Sequence, residues 1–357
     1  MKLRLEFYKG KGGGIIRRMK TQLRHKFEDI IKLDNLLSAW QEFLRGKSNR
    51  QDVQKFSANL MDNVFSLRQD LLYHTYKHGG YEAFKINDPK PRDIHKASVR
   101  DRLLHHAVYR ILYPFFARTF INDSYSCQIN KGTHKALDKF RQFSYKTSKN
   151  NTRTCYILKG DIRKFFASID QSILLKILNE YIPDKNITWL LEKIITSFSS
   201  RAKGIGLPLG NLTSQLFVNI YMNRFDQFVK HKLKAEYYIR YADDFVIFSH
   251  NKKWLEFYIS VIRKFLRNEL KLELHPGKIF IKTISSGVDF LGMVNFPDHR
   301  ILRTKTKRRM LKRISVAREK LKNDSISEEY FESSLNSYLG LLKHCHGHKN
   351  RVKIARY

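Results

Sequence analysis

Tyr237-Tyr238-Ile239-Arg240-Tyr241-Ala242-Asp243-Asp244-Phe245-Val246-Ile247-Phe248 sets two short runs of aromatic and β-branched residues around two adjacent carboxylates. Runs of that composition read as the paired strands of a hairpin. Asp243 and Asp244 then fall at its turn, on a stiff support. Turn aspartates are common for plain structural reasons, usually beside a glycine. No glycine stands here. Adjacent like charges on a tight turn repel, and a divalent cation would relieve that repulsion. On this stretch alone a metal site and an ordinary turn are about equally supported, so the rest of the chain decides.

Tyr156-Ile157-Leu158-Lys159-Gly160-Asp161-Ile162-Arg163-Lys164-Phe165-Phe166 supplies a third carboxylate. A β-rich run ends in Asp161, and two aromatics follow. The plain reading is an edge strand with core aromatics behind it. The functional reading sets Asp161 at a strand end beside the hairpin, with Phe166 walling a pocket. Lys203-Gly204-Ile205-Gly206-Leu207-Pro208-Leu209-Gly210-Asn211-Leu212-Thr213-Ser214-Gln215 is a glycine-rich loop. A helix follows it, with Leu216, Phe217, Ile220, Tyr221, Phe225, Phe228 and Val229 on its apolar side. Gly206 and Gly210 suggest close approach of backbone to a ligand, and Asn211 or Thr213 can cap the helix.

The composition narrows the partner. The chain has 357 residues, 42% hydrophobic, with 68 Lys and Arg against 33 Asp and Glu, a formal net charge of +35. That length and apolar content imply a folded protein of two or three subdomains. Such a basic chain calls for a polyanion or a membrane surface. No run reaches the roughly 18 apolar residues of a membrane span, and no signal-peptide pattern is present. Nucleic acid is therefore the expected partner, with no membrane. Cys127, Cys155 and Cys345 are scattered and form no CxxC pair, which fits a reducing, cytoplasmic setting.

Farther out, residues 1–20 read as a basic arm with a glycine run. Phe27 to Tyr76 has helical spacing, broken into two helices by the basic stretch 45–50. Lys90-Pro91-Arg92-Asp93-Ile94-His95-Lys96 is a short extended piece. A helix begins near Val99 and keeps its apolar face through Ile111 and Leu112. Arg92, Lys96, Arg100 and Arg102 are a solvated face or a set of phosphate contacts. In 124–134, Gly132 permits a tight turn and Lys131 could reach a phosphate. Trp254, Tyr258, Val261, Ile262 and Phe265 mark another amphipathic helix, and His275-Pro276-Gly277-Lys278 turns the chain into a strand. Gly287–Gly292 is a second hairpin-like piece. Beyond Arg300 comes a basic helical segment with Met310, Leu311, Ile314, Ala317 and Leu321 on one side. His344, Cys345, His346 and His348 match no zinc spacing.

In this order the pieces resemble a reverse transcriptase, from about Tyr81 to Tyr357. Lys90-Pro91-Arg92 and Arg100-Asp101-Arg102 look like the first fingers motif and Lys131-Gly132-Thr133 like the second. Asp161 with Phe165-Phe166 is similar to the first catalytic motif, and Tyr241-Ala242-Asp243-Asp244 to the Tyr-x-Asp-Asp box. Lys278 falls in the next motif, and Phe290-Leu291-Gly292 resembles the primer-grip hairpin. The resemblance implies an α+β fold: a right-hand polymerase with helical and β fingers, an antiparallel-sheet palm and a small helical thumb. The division would be 1–80 (basic arm and N-terminal helices), 81–292 (fingers and palm) and 293–357 (basic helical thumb).

The implied activity is RNA-directed DNA polymerisation. A primer 3′-hydroxyl attacks the α-phosphate of a dNTP with two Mg²⁺ ions, Mn²⁺ being the alternative. Asp161, Asp243, Asp244 and the carbonyl of Ile162 would hold the metal. Lys278 would protonate pyrophosphate, and Phe166 would exclude a ribose 2′-hydroxyl. Arg92, Lys131, Leu209, Gly210 and Gln215 would line the dNTP site. Arg100, Arg102, Phe290, Leu291, Gly292, Arg308 and Arg309 would bind template RNA and the growing cDNA, the basic thumb holding the duplex by its phosphates. Gln128 and Asn130 depart from the family pattern, where Arg and Gly are usual, and the missing Arg implies a weaker grip on the triphosphate.

Leu209-Gly210-Asn211-Leu212-Thr213-Ser214-Gln215 is similar to the enzymes of diversity-generating retroelements, where most reverse transcriptases carry Gln-Gly. Pro91–Ala97 and Ser337-Tyr338-Leu339-Gly340 point the same way. This subclass implies an error-prone enzyme that misreads template adenine in a bacterial or phage-infected cell, with a basic accessory variability protein as partner. Group II intron proteins are disfavoured, since only about 65 residues follow Gly292, and retron enzymes because their Val-Thr-Gly motif is absent. A bacterial defence reverse transcriptase is the runner-up. A non-catalytic nucleic-acid binder shares the charge but needs no three aspartates.

Overall fold

Four helices precede the first strand in the computed structural model, which describes residues 21–87 and 91–346. They are α1 (Phe27–Ile31), α2 (Leu33–Leu44), α3 (Gln51–Ala58) and α4 (Leu60–Leu72). The expected break at 45–50 is present, but the two expected helices are each divided again. Lys32 takes an extended ψ of 136°, and Asn59 leaves the helical region at φ −121°, ψ 44°. The arm at 1–20, Lys90 and His348 lie outside the described residues.

The chain continues through β1 (Tyr81–Ile86), β2 (Arg92–Ala97), α5 (Val99–Ala117), α6 (Thr133–Thr147) and β3 (Tyr156–Asp161). Next come α7 (Gln171–Asn179), α8 (Lys185–Thr196) and α9 (Leu212–Gln227), then β4 (Tyr237–Tyr241), β5 (Asp244–Ser249) and α10 (Lys252–Leu270). The last elements are β6 (Phe280–Thr283), β7 (Val288–Phe290), β8 (Met293–Asn295), β9 (Arg300–Leu302), α11 (Thr304–Lys322) and α12 (Glu328–Lys343). The result is a mixed α+β fold with antiparallel sheets: a β1–β2 hairpin, a four-stranded sheet in the order β4-β5-β3-β6, and a β7-β8-β9 meander.

The four-stranded sheet is covered on both faces, so its strands read as apolar runs with little alternation. Leu158, Tyr238, Phe245 and Ile247 pack into one core with Phe217, Phe225 and Leu266 from α9 and α10. Ile157, Ile239, Val246 and Phe248 face Phe140 and Phe143 of α6 and the meander's Val288 and Phe290. Helix α9 is buried nearly all round, as a helix between a sheet and other helices must be.

Two local expectations change. Strand β3 lies inside the sheet, between β5 and β6, so it is no edge strand. Asp244 is the first residue of β5, paired with Tyr241, so the hairpin turn consists of Ala242 and Asp243 alone. The C-terminal segment is helical as expected. Met310 and Ile314 of α11 and Leu342 of α12 are buried with Phe290, Met293 and Leu302 of the meander.

Candidate active site

Register brings the first two carboxylates together. Asp161, the last residue of β3, lies directly opposite Asp244, the first of β5, on one face of the sheet. Cross-strand like charges repel, which makes this pairing costly without a counter-charge. The third carboxylate, Asp243, sits in the two-residue turn, and its carbonyl accepts the Ile162 N–H at 3.3 Å. With no glycine available, Ala242 takes φ +54°, a left-handed conformation that costs a residue with a Cβ about 1–2 kcal/mol.

The segment after α10 is zipped onto the end of β3. His275 N–H donates to the Asp161 carbonyl at 2.8 Å, and Ile162 bridges Leu274. A 3-10 turn at Pro276–Lys278 follows, and the Lys278 ammonium reaches Asp161 Oδ1 at 2.8 Å. A second lysine was not picked out by sequence reasoning. Lys159 is buried two residues before Asp161 on the same face, with Nζ 3.6 Å from Asp244 Oδ1. It also donates to the carbonyl of Asp289 at 3.1 Å. Its signal in the sequence is a lone charge inside an apolar strand.

Burial pushes Asp243 up to about 6, with the charges of Asp244 and Asp161 adding to it. Asp244 is also raised, first by burial, with Lys159 opposing and Asp161 adding. Asp244 keeps 27% of its side-chain surface, so the group is crowded by protein yet open on one side. Among the described residues no group of three or more His, Cys, Asp or Glu side chains is arranged to hold a metal ion, so an ion here would rest on few protein ligands. The donors here are hard carboxylate oxygens in an open cluster with more negative charge than its two lysines neutralise. That suits Mg²⁺, which needs few protein ligands and takes the rest from water and substrate phosphate. A divalent cation binds the ionised form. The Mg²⁺ or Mn²⁺ concentration for half-saturation should therefore rise as pH falls below about 6. Titration calorimetry at pH 5.5 and 7.5 checks this, and equal affinities would contradict it.

Beside the carboxylates, a 3-10 turn at Phe165–Ser168 buries Phe165 and leaves Phe166 half-buried against it, ring centroids 5.6 Å apart. Leu207 N–H donates to the Phe166 carbonyl at 2.9 Å, which brings the glycine-rich loop alongside. The close approaches expected at its glycines are made to the chain itself. A Cβ at Gly206 would stand 2.5 Å from Ser200 Oγ, and one at Gly210 3.0 Å from Ile94 Cγ2 of β2. The carbonyl of Leu209 accepts the His95 N–H of β2 at 3.0 Å, so the β1–β2 hairpin braces this loop. Asn211 takes the N-cap position of α9 but makes no side-chain capping bond. Gln215 is half-buried in the first turn of α9.

Several basic residues are already engaged. Arg100 pairs with Asp70 of α4, and Arg102 with Asp52 of α3 at 2.6 Å, so both guanidinium groups turn to the N-terminal helices. Lys131 donates to the carbonyls of Asn122 at 2.8 Å and Ser124 at 2.9 Å. Gln128 Nε2 donates to Ser124 Oγ at 2.9 Å. Asn130 has φ +60°, a conformation glycine adopts freely and asparagine tolerates, so this departure from the family pattern preserves the backbone. Arg92 is exposed at the start of β2.

In the meander, Phe290 is buried and stacked on Phe140 at 5.4 Å, and Leu291 and Gly292 form the β7–β8 turn. Arg308 is exposed on α11. Arg309 lines a cleft of about 570 Å³ between α11 and α12, together with Lys312, Arg313, Tyr330 and Tyr338. His344 stacks on His134 at 3.6 Å.

The chain is similar to known proteins. The family model described as reverse transcriptase (RNA-dependent DNA polymerase) matches residues 85–294, a span that contains all three aspartates and Lys278. Protein YkfC of Escherichia coli K12 is 26% identical over 312 residues, covering 76% of this chain and 79% of that protein. The group II intron-encoded protein LtrA of Lactococcus lactis subsp. cremoris is 23% identical over 342 residues. That match covers 76% of this chain, but the chain spans only 54% of LtrA's length. Group II intron proteins, disfavoured on chain length, are thus among the relatives. None of the described helices is long and apolar enough to cross a membrane. With more than half of the chain inside the family match, this protein belongs to the reverse transcriptase family and is an RNA-directed DNA polymerase.

Proposed function

We propose that Asp161, Asp243 and Asp244 are the polymerising centre and that the chain copies a template RNA into cDNA as the error-prone enzyme of a diversity-generating retroelement. The observation that carries the first part is the register pairing of Asp161 with Asp244, with Asp243 in the adjoining turn. In this reading β1–β2 and α5–α6 are fingers, the four-stranded sheet with α9 and α10 is the palm, and α11–α12 are the thumb.

The divalent ions, once bound, supply the Lewis acid that lowers the pKa of the primer hydroxyl and neutralises the leaving pyrophosphate. The chain's own part is positioning. Asp161 and Asp243 present ionised oxygens to the metal with the Ile162 carbonyl beside them, and Asp244 adds charge. Lys278 stands at Asp161 and can hand a proton to the leaving group. Phe166 forms the wall beside the sugar and excludes a 2′-hydroxyl. Arg308 and the Arg309 face of the thumb offer positive charge to a duplex backbone, which binds without sequence readout.

The subclass rests on Leu209. A glutamine there could fix nucleotide and template by directed hydrogen bonds, whereas leucine offers shape alone, and apolar contacts discriminate less well. Because the loop is held through the Leu209 carbonyl, Leu209→Gln changes the side chain and keeps that anchor. Sequencing cDNA made on an adenine-rich RNA should show errors concentrated at adenine for the wild type. Leu209→Gln should lower them, on the order of tenfold. Uniformly low error in the wild type would favour the defence-type enzyme. High adenine error untouched by the substitution would reject Leu209 as its cause.

A further inference from the structure

Arg240 lies in the stretch that decides the fold, three residues before Asp243, and has no surface exposure. A buried guanidinium is tolerated only when its charge and all its N–H groups are satisfied. A guanidinium has five N–H donors, and each finds an acceptor here. Nε and Nη2 grip Asp226 of α9 in a two-pronged pair, both at 2.7 Å. Nη2 also donates to Ser124 Oγ at 3.0 Å. Nη1 donates to Asn219 Oδ1 at 3.3 Å and to the carbonyl of Ala242 at 3.0 Å. Asp226 is itself fully buried and accepts the Tyr238 hydroxyl at 2.7 Å.

The Ala242 contact is the informative one. Ala242 is the residue held at φ +54°, and its carbonyl is joined through the next peptide to Asp243. Fixing that carbonyl fixes the plane from which the Asp243 side chain departs. The backbone of Arg240 is bound on the other side of β4. Its N–H donates to the Asp123 carbonyl at 3.0 Å, and its carbonyl accepts from Tyr125 N–H at 2.9 Å. Ser124, held by the guanidinium, is also where Gln128 and Lys131 donate. One side chain thus joins the catalytic turn, helix α9 and the 123–131 segment.

We propose that Arg240, held by Asp226, is a positioning residue: it aims Asp243 by clamping the Ala242 carbonyl and couples that aim to the 123–131 segment. The inference rests on Asp243 being a metal ligand. An ammonium can keep the charge pair with Asp226 but has neither the fork nor the reach to serve Ala242 as well. Arg240→Lys should therefore fold and lose the clamp. The double variant Arg240→Met/Asp226→Leu removes both charges together, a change that buried ion pairs often tolerate.

The test has two readouts in the full chain: the shift in thermal midpoint on adding Mg²⁺ without nucleic acid, and the Mg²⁺ dependence of primer extension. Both variants are expected to show cooperative unfolding, to lose most of the Mg²⁺-induced shift, and to need about tenfold more Mg²⁺ for half-maximal extension. Apparent affinity for the template–primer should stay within about twofold, since no phosphate contact is removed. Variants that fold with a wild-type Mg²⁺ shift and titration would overturn the proposal. So would loss of the fold in both, which would make the pair a prop of the core. A wild type that itself shows no Mg²⁺-induced shift would instead fail the metal-site reading on which the inference stands.

Discussion

Asp243→Asn is expected to lose dNTP incorporation by at least 10²–10³-fold, on the order seen when one group that stabilises transition-state charge is removed. Binding of template–primer should be nearly unchanged, because the role proposed for Asp243 is to hold metal and not phosphate. The same variant should be more stable than the wild type in chelator-treated buffer. In the fold Asp243 titrates near 6, against about 3.9 for a free aspartate, so the folded state disfavours its ionised form. That cost is absent below about pH 4, grows between about pH 4 and 6, and is complete above 6. Asparagine never ionises, so the variant's advantage should open as pH rises through that window. It should reach on the order of 1–3 kcal/mol at pH 8, which is several degrees in thermal midpoint. Mg²⁺ should then stabilise the wild type and leave the variant unmoved. Full synthesis by the variant, or a lower midpoint than wild type at pH 8 without metal, would contradict the assignment.

The second large effect is on the fold. Gly160 stands directly opposite Phe245 in the register of β3 and β5, and the Phe245 ring lies across it. A Cβ at 160 would come within 2.3 Å of Phe245 Cζ and 2.6 Å of Cε1. The ring cannot swing clear, since Phe225 packs against it edge-on at 5.1 Å. Gly160→Ala therefore overpacks the centre of the sheet, at a cost of about 1–3 kcal/mol or more. Its thermal midpoint should fall by several degrees, and Phe245→Leu in the same chain should recover part of the loss. Because Asp161 is the next residue, activity measured well below the midpoint should fall too. An unchanged midpoint would mean the sheet adjusts more freely than its packing indicates.

These two positions show what the sequence made legible. Asp161 and Asp243-Asp244 stood out because each ends or interrupts a run of apolar β-formers. The helix after the glycine-rich loop announced itself by Leu216, Phe217, Ile220 and Phe225. Helix α6 carries a comparable signal in Ala136, Leu137, Phe140 and Phe143. The place of Asp244 in the strand was hidden because a two-residue turn there requires φ > 0 at Ala242, which no glycine advertised. The roles of Lys159 and Arg240 are not legible in the sequence because their partners lie across the fold, at Asp289 for the one and at Ser124 and Asp226 for the other. Gly206 and Gly210 read as places for a ligand because the sequence shows the glycine but not the neighbour it makes room for, Ser200 for the one and Ile94 for the other. Arg100, Arg102 and Lys131 read as candidates for phosphate because sequence shows a charge but not what engages it, a carboxylate for each arginine and backbone carbonyls for the lysine.

We propose that this carboxylate cluster, with a divalent ion bound, extends a primer on RNA. Its most direct test is single-nucleotide incorporation by the purified chain on an RNA template with a DNA primer, titrated with Mg²⁺ from a chelator-treated start. The account predicts no product without the ion, saturable incorporation of the complementary dNTP as Mg²⁺ is added, and the same behaviour with Mn²⁺. A chain that binds the template–primer yet adds no nucleotide at any Mg²⁺ or Mn²⁺ concentration would contradict it.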